Sequence, residues 1–211
     1  MIKKTNELQT VAIDINLLAI TETWLKPDIL VSEILSSNNF NIYRRDRIDR
    51  TGGGVLLAVR ENILSMRRRD LESKAEILVR EIHPESRKKI AVIVFYRPPD
   101  SDLNYIKEFK KTLQLIRRQN AFDQLIVCGD FNLPNIDWST GVTTNNNIIY
   151  QHFTKTVKDH YLWQLVNFPT RGENTLDLIL TNIPDKIQNV AGFDDVLETD
   201  HKLINFEINL K

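Results

Sequence analysis

The sequence predicts a layered α/β fold, and three observations carry that prediction. Leu125, Ile126, Val127 and Cys128 form a short apolar run with β-branched members, bounded by Gly129 and Pro134, which reads as a buried strand entering a turn. Glu76 to Ile82 and Ile90 to Tyr96 are two further strand-like runs joined by the polar turn His83, Pro84, Glu85 and Ser86, so a β-hairpin is their natural unit. Between these strands, Tyr105, Phe109, Leu113 and Ile116 recur at helical spacing within Asp102 to Asn120, with Lys107, Lys110, Lys111, Arg117 and Arg118 mostly on other faces.

The remaining elements fit the same architecture. Leu8, Val11 and Ala12 give a helical spacing within Lys4 to Ile13, and Leu17 to Ile20 follows as an internal strand. Phe40 to Tyr43 and Val55 to Val59 are strands separated by a basic cluster (Arg44, Arg45, Arg47, Arg50) and a glycine turn, Gly52 to Gly54. Those glycines lack the Lys and Ser/Thr of a phosphate-binding P-loop, so a tight turn is the expectation. After an Asn/Thr-rich loop over Thr143 to Asn147, Ile149, Phe153, Val157 and Tyr161 predict a second amphipathic helix. Leu162 to Val166, Thr175 to Leu180, Ile187 to Val190 and Leu203 to Ile208 close the chain as strands.

The 211 residues, 42% hydrophobic and 27% charged, are expected to form one domain spanning 1–211. A single cysteine, Cys128, excludes a disulfide framework and reads as a small core residue in a reducing, intracellular setting. Val11 to Ile20 is interrupted by Asp14 and Asn16 and is too short to span a bilayer, and Lys3 and Lys4 are not followed by a signal-type core. No export and no membrane partner is therefore expected. With 28 basic and 28 acidic residues, any nucleic-acid partner has to be held by local basic surface. His152 and His160, on or near the second helix, do not make a zinc site with one cysteine and are taken as helix-surface or packing residues.

Chemistry is expected where the strands stop. Asp130 and Asn132 flank Phe131, which places a carboxylate and an amide side by side while the ring anchors the turn. Such a pair can orient and deprotonate a water or share a hard cation, or it can be an Asx-type turn that satisfies only local N–H groups. Glu22 directly follows the first apolar strand, as a site carboxylate or as a surface residue; Tyr96 and Arg97 emerge where Pro98 and Pro99 end a ladder. Asp177, set among Leu176, Leu178, Ile179 and Leu180, needs a partner to offset its desolvation, and His201 is the candidate.

Read together, AITETWL (Ala19 to Leu25), GGGVLLAV (Gly52 to Val59), VFYRPP (Val94 to Pro99), VCGDFN (Val127 to Asn132), TLDLILTN (Thr175 to Asn182) and TDH (Thr199 to His201) resemble, in order, the endonuclease/exonuclease/phosphatase family. The resemblance is strongest to the endonuclease domain of jockey-type non-LTR retrotransposons and covers nearly the whole chain. It implies a DNase I-like two-sheet α/β sandwich with helices on both outer faces, and divalent-metal-dependent phosphodiester hydrolysis, most simply DNA nicking. A weak or silent remnant of such a domain, binding nucleic acid at most, and a phosphatase of the same family are the alternatives.

The resemblance also implies roles for individual residues. Glu22 would bind the metal, Mg²⁺ or Mn²⁺, with Asp200 as accessory ligand. Asp130 would activate the attacking water, Asn132 would hold that water or the phosphate, and Tyr96 would donate to a phosphate oxygen. His201 would stabilise charge on the phosphate, with Asp177 orienting its ring. All-oxygen ligation suits Mg²⁺ or Mn²⁺. DNA contacts are expected from Arg44, Arg45, Arg97 and Arg171; the clusters Arg44, Arg45, Arg47 and Arg67, Arg68, Arg69 are most simply solvated surface charge, but any grip on DNA has to come from clusters such as these. No protein partner is implied, and a monomer is expected. Thr199 stands where the family has Ser. The family's first strand, bearing an Asn near the metal, has no counterpart before Lys3 to Leu8, and Asn6 does not match that Asn; a truncated first strand and a tendency to aggregate are therefore expected.

Overall fold

The computed structural model describes residues 8, 10–35, 39–48, 51–84, 88–143, 146–194, 196 and 199–210. Several expected features lie outside these residues: Lys3 to Glu7 of the N-terminal helix with Asn6, together with Arg50, Glu85, Ser86, Thr144 and Asn145.

Two sheets dominate. Strands β1 (Leu17–Thr21), β2 (Phe40–Arg45) and β3 (Val55–Arg60) form an antiparallel sheet in the order β1-β3-β2. The larger sheet runs β10-β11-β7-β6-β5-β4, built from β4 (Leu64–Arg67), β5 (Glu76–His83), β6 (Ile90–Tyr96), β7 (Gln124–Asp130), β10 (Trp163–Gln164) and β11 (Asp177–Thr181). Within it β5 and β6 are the expected antiparallel hairpin, whereas β6 and β7 are parallel. Their crossover is helix α1 (Leu103–Gln119), since parallel neighbours cannot be joined by a tight turn. Asp102 caps α1, its carboxylate accepting from Asn104 N–H at 3.0 Å, and Asn120 ends it in a left-handed conformation.

The side-chain period of two sorts the strands into layers. On β6, Ile93 and Phe95 point to one face of the large sheet, where they meet Phe109 and Leu113 of α1 and Phe153 and Val157 of α2 (Ile148–Asp159). Ile90, Val92, Val94 and Tyr96 point to the other face and pack against Val55, Leu57 and Val59 of β3. Both faces of β6 are thus buried, which explains its unbroken apolar run. The outer face of the small sheet, with Leu18, Leu56 and Ala58, is covered by Leu8, Ala12, Ile34 and Leu35. Both long helices among the described residues therefore lie on the large sheet, and helical residues near Leu8 and Ala12 cover the small sheet.

Three smaller differences have local causes. The second helix stops at Asp159, and Tyr161 lies beyond it in left-handed backbone, exposed beneath Arg117. Of the expected strand over 162–166, Trp163 and Gln164 pair with β11, and Leu165 N–H adds one bond to Ile179 C=O at 3.0 Å. The strand at Ile187 continues to Phe193 as β12 and forms a separate ribbon with β13 (Leu203–Ile208). Alternation had not marked the edge strand β4 or the two-residue pair β8 (Ile136–Asp137) and β9 (Val142–Thr143). Among the described residues no helix is long and apolar enough to cross a membrane.

Candidate active site

Strand parity assembles the site. Glu76 on β5, Tyr96 on β6, Asp130 on β7 and Asp177 on β11 all fall on the face turned to the small sheet, at one end of the large sheet. Glu76 pairs across the ladder with Tyr96, and Asp177 with Asp130. Opposite them β1 ends at Thr21 and delivers Glu22, which accepts a hydrogen bond from the Tyr96 hydroxyl. Glu22 and Trp24 both have positive φ, 51° and 55°, while Thr23 between them is buried. This strained turn is held to the glycine segment by Trp24 N–H donating to Gly53 C=O at 2.9 Å.

Gly129 fixes how closely β7 approaches β6. With φ of 139°, an added Cβ would lie 2.0 Å from the backbone oxygen of Phe95, so this position in VCGDFN has no room for a side chain. Past it, Asp130 is 2% exposed. Its Oδ1 accepts Asn132 N–H at 2.9 Å and its Oδ2 accepts the Asn132 amide at 2.7 Å. Asn132, at φ 48°, also donates to Arg97 C=O at 2.9 Å. The Asx-type turn is therefore real, and it also arranges the site: the turn holds the carboxylate. Phe131 points the opposite way into an aromatic cluster with Phe95, Phe109 and Phe153.

His201 Nδ1 lies 2.8 Å from Asp177 Oδ2, so the desolvated Asp177 has the partner its surroundings demanded. Burial draws the His201 pKa down, but the hydrogen bond and charge of Asp177 outweigh it, and the net shift is upward. Asp130 is pushed up to about 7, first by burial and then by the facing charge of Asp177. The Tyr96 phenol is raised by burial and by its bond to Glu22, so it remains a donor at neutral pH. Ligand atoms of Asp130, Asp177 and His201 all lie within 4.8 Å of one another, a spacing that one cation can bridge.

The other residues expected here are placed differently. Asp200 is engaged by Arg171, at 2.7 Å from Nε and 2.6 Å from Nη2. Most donors of the basic residues expected to contact DNA are engaged within the protein. Arg44 donates to the carbonyls of Ile29 and Lys26, and Arg45 to those of Ser73, Lys74 and Ile77. Arg67 is bound to Glu72 and Arg68 to Asp70 and Glu81. Arg97, only 3% exposed, donates to the carbonyls of Pro99, Ser101 and Asn132. Arg97 therefore braces the Asp130–Asn132 turn from behind. Arg171, paired among the described residues with the exposed Asp200, keeps its guanidinium at the surface.

Cys128 and the two helix histidines stay outside the chemistry. Burial pushes the Cys128 thiol up to about 12, which keeps it protonated. His160 caps α2 with its Nδ1 2.9 Å from Thr156 C=O. Sequence reading overlooked Glu76 and Thr170. Thr170 is fully buried and its hydroxyl accepts both Leu176 N–H and Asp177 N–H at 3.0 Å, setting the start of β11. Nothing in the local sequence marks it. Glu76 could have been suspected, since it is a carboxylate heading an otherwise buried strand.

This geometry can be set beside known proteins. The family model described as endonuclease-reverse transcriptase matches residues 90–205, more than half of the chain. The chain belongs to that family. The matched span contains Tyr96, Asp130, Asn132, Asp177, Asp200 and His201, whereas Glu22 precedes it. No curated protein sequence matches. Among solved structures, the endonuclease domain of TRAS1, a telomere-specific non-LTR retrotransposon, is similar with a TM-score of 0.74 at 16% identity, over 97% of this chain and 90% of that one. The AP endonuclease LMAP from Leishmania major is similar with a TM-score of 0.75 at 13% identity, over 98% and 83%. The 3′-5′ exonuclease NExo from Neisseria meningitidis gives 0.68 at 15%, over 97% and 93%. At these identities the likeness establishes the fold, which is DNase I-like. Membership in the endonuclease-reverse transcriptase family supports phosphodiester hydrolysis as the reaction class.

Proposed function

We propose that this family member is a divalent-metal-dependent endonuclease that nicks DNA. The observation that carries the proposal is the convergence of Asp130 and the Asp177–His201 pair with Glu22 and Tyr96 at the ends of β1, β6, β7 and β11.

Hydrolysis at phosphorus needs an oriented water, a proton acceptor and compensation of charge on the nonbridging oxygens. Asp130 has the raised basicity of a proton acceptor, and Asn132 fixes both its oxygens. His201, whose charged form Asp177 favours, faces the developing negative charge, and the Tyr96 hydroxyl donates to a phosphate oxygen once it leaves Glu22. The donor set fits a hard cation, because Asp130 and Asp177 face each other with Glu22 close enough to perturb Asp130, and His201 and the Asn132 N–H offset them in part. Glu22 would hold the Mg²⁺ or Mn²⁺, with Asp200 available only if it leaves Arg171, and Asp130 would then be free to take the proton. The cation would supply charge neutralisation at the phosphate.

Supercoiled plasmid tests the reading. Conversion to open circle that requires Mg²⁺ or Mn²⁺, stops with chelator and is weakened in metal affinity by Glu22→Gln is expected. Equal conversion with and without chelator would remove the metal, and no conversion of any DNA would remove the nuclease.

A further inference from the structure

Beside the acidic centre lies a cleft of about 250 Å³ lined by Glu22, Trp24, Arg47, Gly53, Tyr96 and Pro98 among others. Hydrolysis accounts for Glu22 and Tyr96 but leaves Arg47 and Trp24 without a task. Arg47 Nε donates to Glu76 Oε1 at 2.7 Å, and its Nη2 donates to the same oxygen. Glu76 is fixed in turn by Gly54 N–H and by the Tyr105 hydroxyl at 3.0 Å. Gly53 makes this possible, since a Cβ there would fall 2.4 Å from both the guanidinium and Glu76 Oε2. The Arg47 guanidinium carbon sits 5.7 Å from the centre of the Tyr96 ring. Among the described residues Nη1 makes no hydrogen bond, so a preset cationic donor remains for something in the cleft.

Trp24 supplies the complementary feature. Trp24 is 48% exposed, yet its backbone is locked by the bond to Gly53 and by the buried Thr23 beside it. The ring lies along the glycine segment, 3.5 Å from where a Cβ on Gly52 would be. A rigid aromatic face next to a fixed guanidinium matches what one nucleotide of a DNA strand presents, a π-face and a phosphate. We infer that this cleft is a nucleotide subsite flanking the scissile phosphate, in which Trp24 stacks on a base and Arg47 Nη1 binds the neighbouring phosphate. The inference rests on the nuclease reading above.

The test begins by mapping a nick made by the wild type and building a duplex oligonucleotide around it. Binding is then measured in an Asp130→Asn background, with thermal melts confirming that each variant folds. Arg47→Lys keeps a charge for Glu76 but cannot span both groups; it is expected to weaken binding about tenfold and to lower the salt slope by about one unit. Trp24→Ala is expected to weaken binding about tenfold, with Trp24→Phe recovering most of the loss. Abasic substitution scanned three nucleotides to either side should reveal one position whose loss weakens the Trp24 protein but not Trp24→Ala. If mapped nicking persists and no abasic position couples to Trp24 while the salt slope ignores Arg47→Lys, the subsite is wrong and the nuclease reading stands. If the wild type nicks no DNA, both fall together.

Discussion

His201 and Asp177 are joined by a hydrogen bond of 2.8 Å between elements 24 residues apart, the loop after β12 and the first residue of β11. The pairing holds one ring nitrogen and favours the charged imidazole, so removing either partner should have separable effects. His201→Ala is expected to lower the nicking rate by at least ~100-fold with little change in DNA affinity, because its contribution is made mainly in the transition state. Asp177→Asn should lower the rate less and move the basic limb of the pH–rate profile to lower pH, since the group that raises the His201 pKa is gone. A basic limb unmoved in Asp177→Asn would assign that limb to another residue.

Metal-free stability should fall as pH rises. Asp130 has a folded pKa of about 7, above the ordinary carboxylate value, so its neutral form is favoured in the fold. The stability it contributes is complete below pH ~4 and is lost as pH climbs through its folded pKa. His201, also raised, contributes below its ordinary pKa and loses that contribution as pH rises through its folded value. Both signs agree. With each pKa unit worth ~1.4 kcal/mol and each kcal/mol moving Tm by roughly 2–4 °C in a domain of this size, chelated protein should melt at least ~5 °C lower at pH 8 than at pH 5. Added Mg²⁺ should restore more at pH 8. Asp130→Asn should flatten the dependence; a steep slope retained in that variant would locate the titration elsewhere.

The basic residues divide into internal and external ones, and a salt titration can tell them apart. Arg97→Met strips donors from three carbonyls, that of Asn132 buried, and frees the Asp130–Asn132 turn. It should cost at least ~2 kcal/mol of stability, since bonds from charged donors are worth ~1.5–3 kcal/mol each. The salt slope of binding, measured on whatever folded fraction remains, should be unchanged. Arg171→Ala should do the reverse, leaving Tm within a degree or two while reducing the slope by about one unit if Arg171 meets a phosphate. A slope altered by Arg97→Met in folded protein would mean that this arginine turns outward to the DNA.

These contrasts mark what the residues alone could convey. Strands buried on both faces, such as Ile90 to Tyr96, announced themselves through apolar continuity, and Asp177 advertised its need for a partner by being a carboxylate among leucines. The roles of the arginines did not, because a guanidinium donating to carbonyls and one free in solvent have the same sequence; Arg45 and Arg171 are separated only by what the chain folds around them. Thr170 was equally silent, its hydroxyl acting through two N–H groups that become neighbours only when β11 forms. The fate of Arg47 depended on Glu76, 29 residues away, which no local pattern links to it.

Gly129 offers the sharpest test of how the scaffold sets the chemistry. Gly129 and Gly141 both have positive φ, 139° and 69°, so alanine at either pays for an unfavourable backbone, typically ~1–2 kcal/mol. They differ in surroundings: a Cβ at Gly141 meets nothing within 4 Å, whereas at Gly129 it lies 2.0 Å from a backbone oxygen of β6 that cannot rotate away. Gly141→Ala should therefore lower Tm by a few degrees and leave nicking intact. Gly129→Ala adds overpacking, commonly a further ~1–3 kcal/mol, and can relieve it only by pushing β7 off β6, which carries Asp130 away from Tyr96. Its folded fraction should be small and its rate per folded molecule reduced by at least ~100-fold, because misplacement of a catalytic group by about 1 Å can cost that much. Equal melting temperatures for the two alanine variants would show that β7 and β6 can separate without penalty, and the close approach at Gly129 would then have no part in aligning the site.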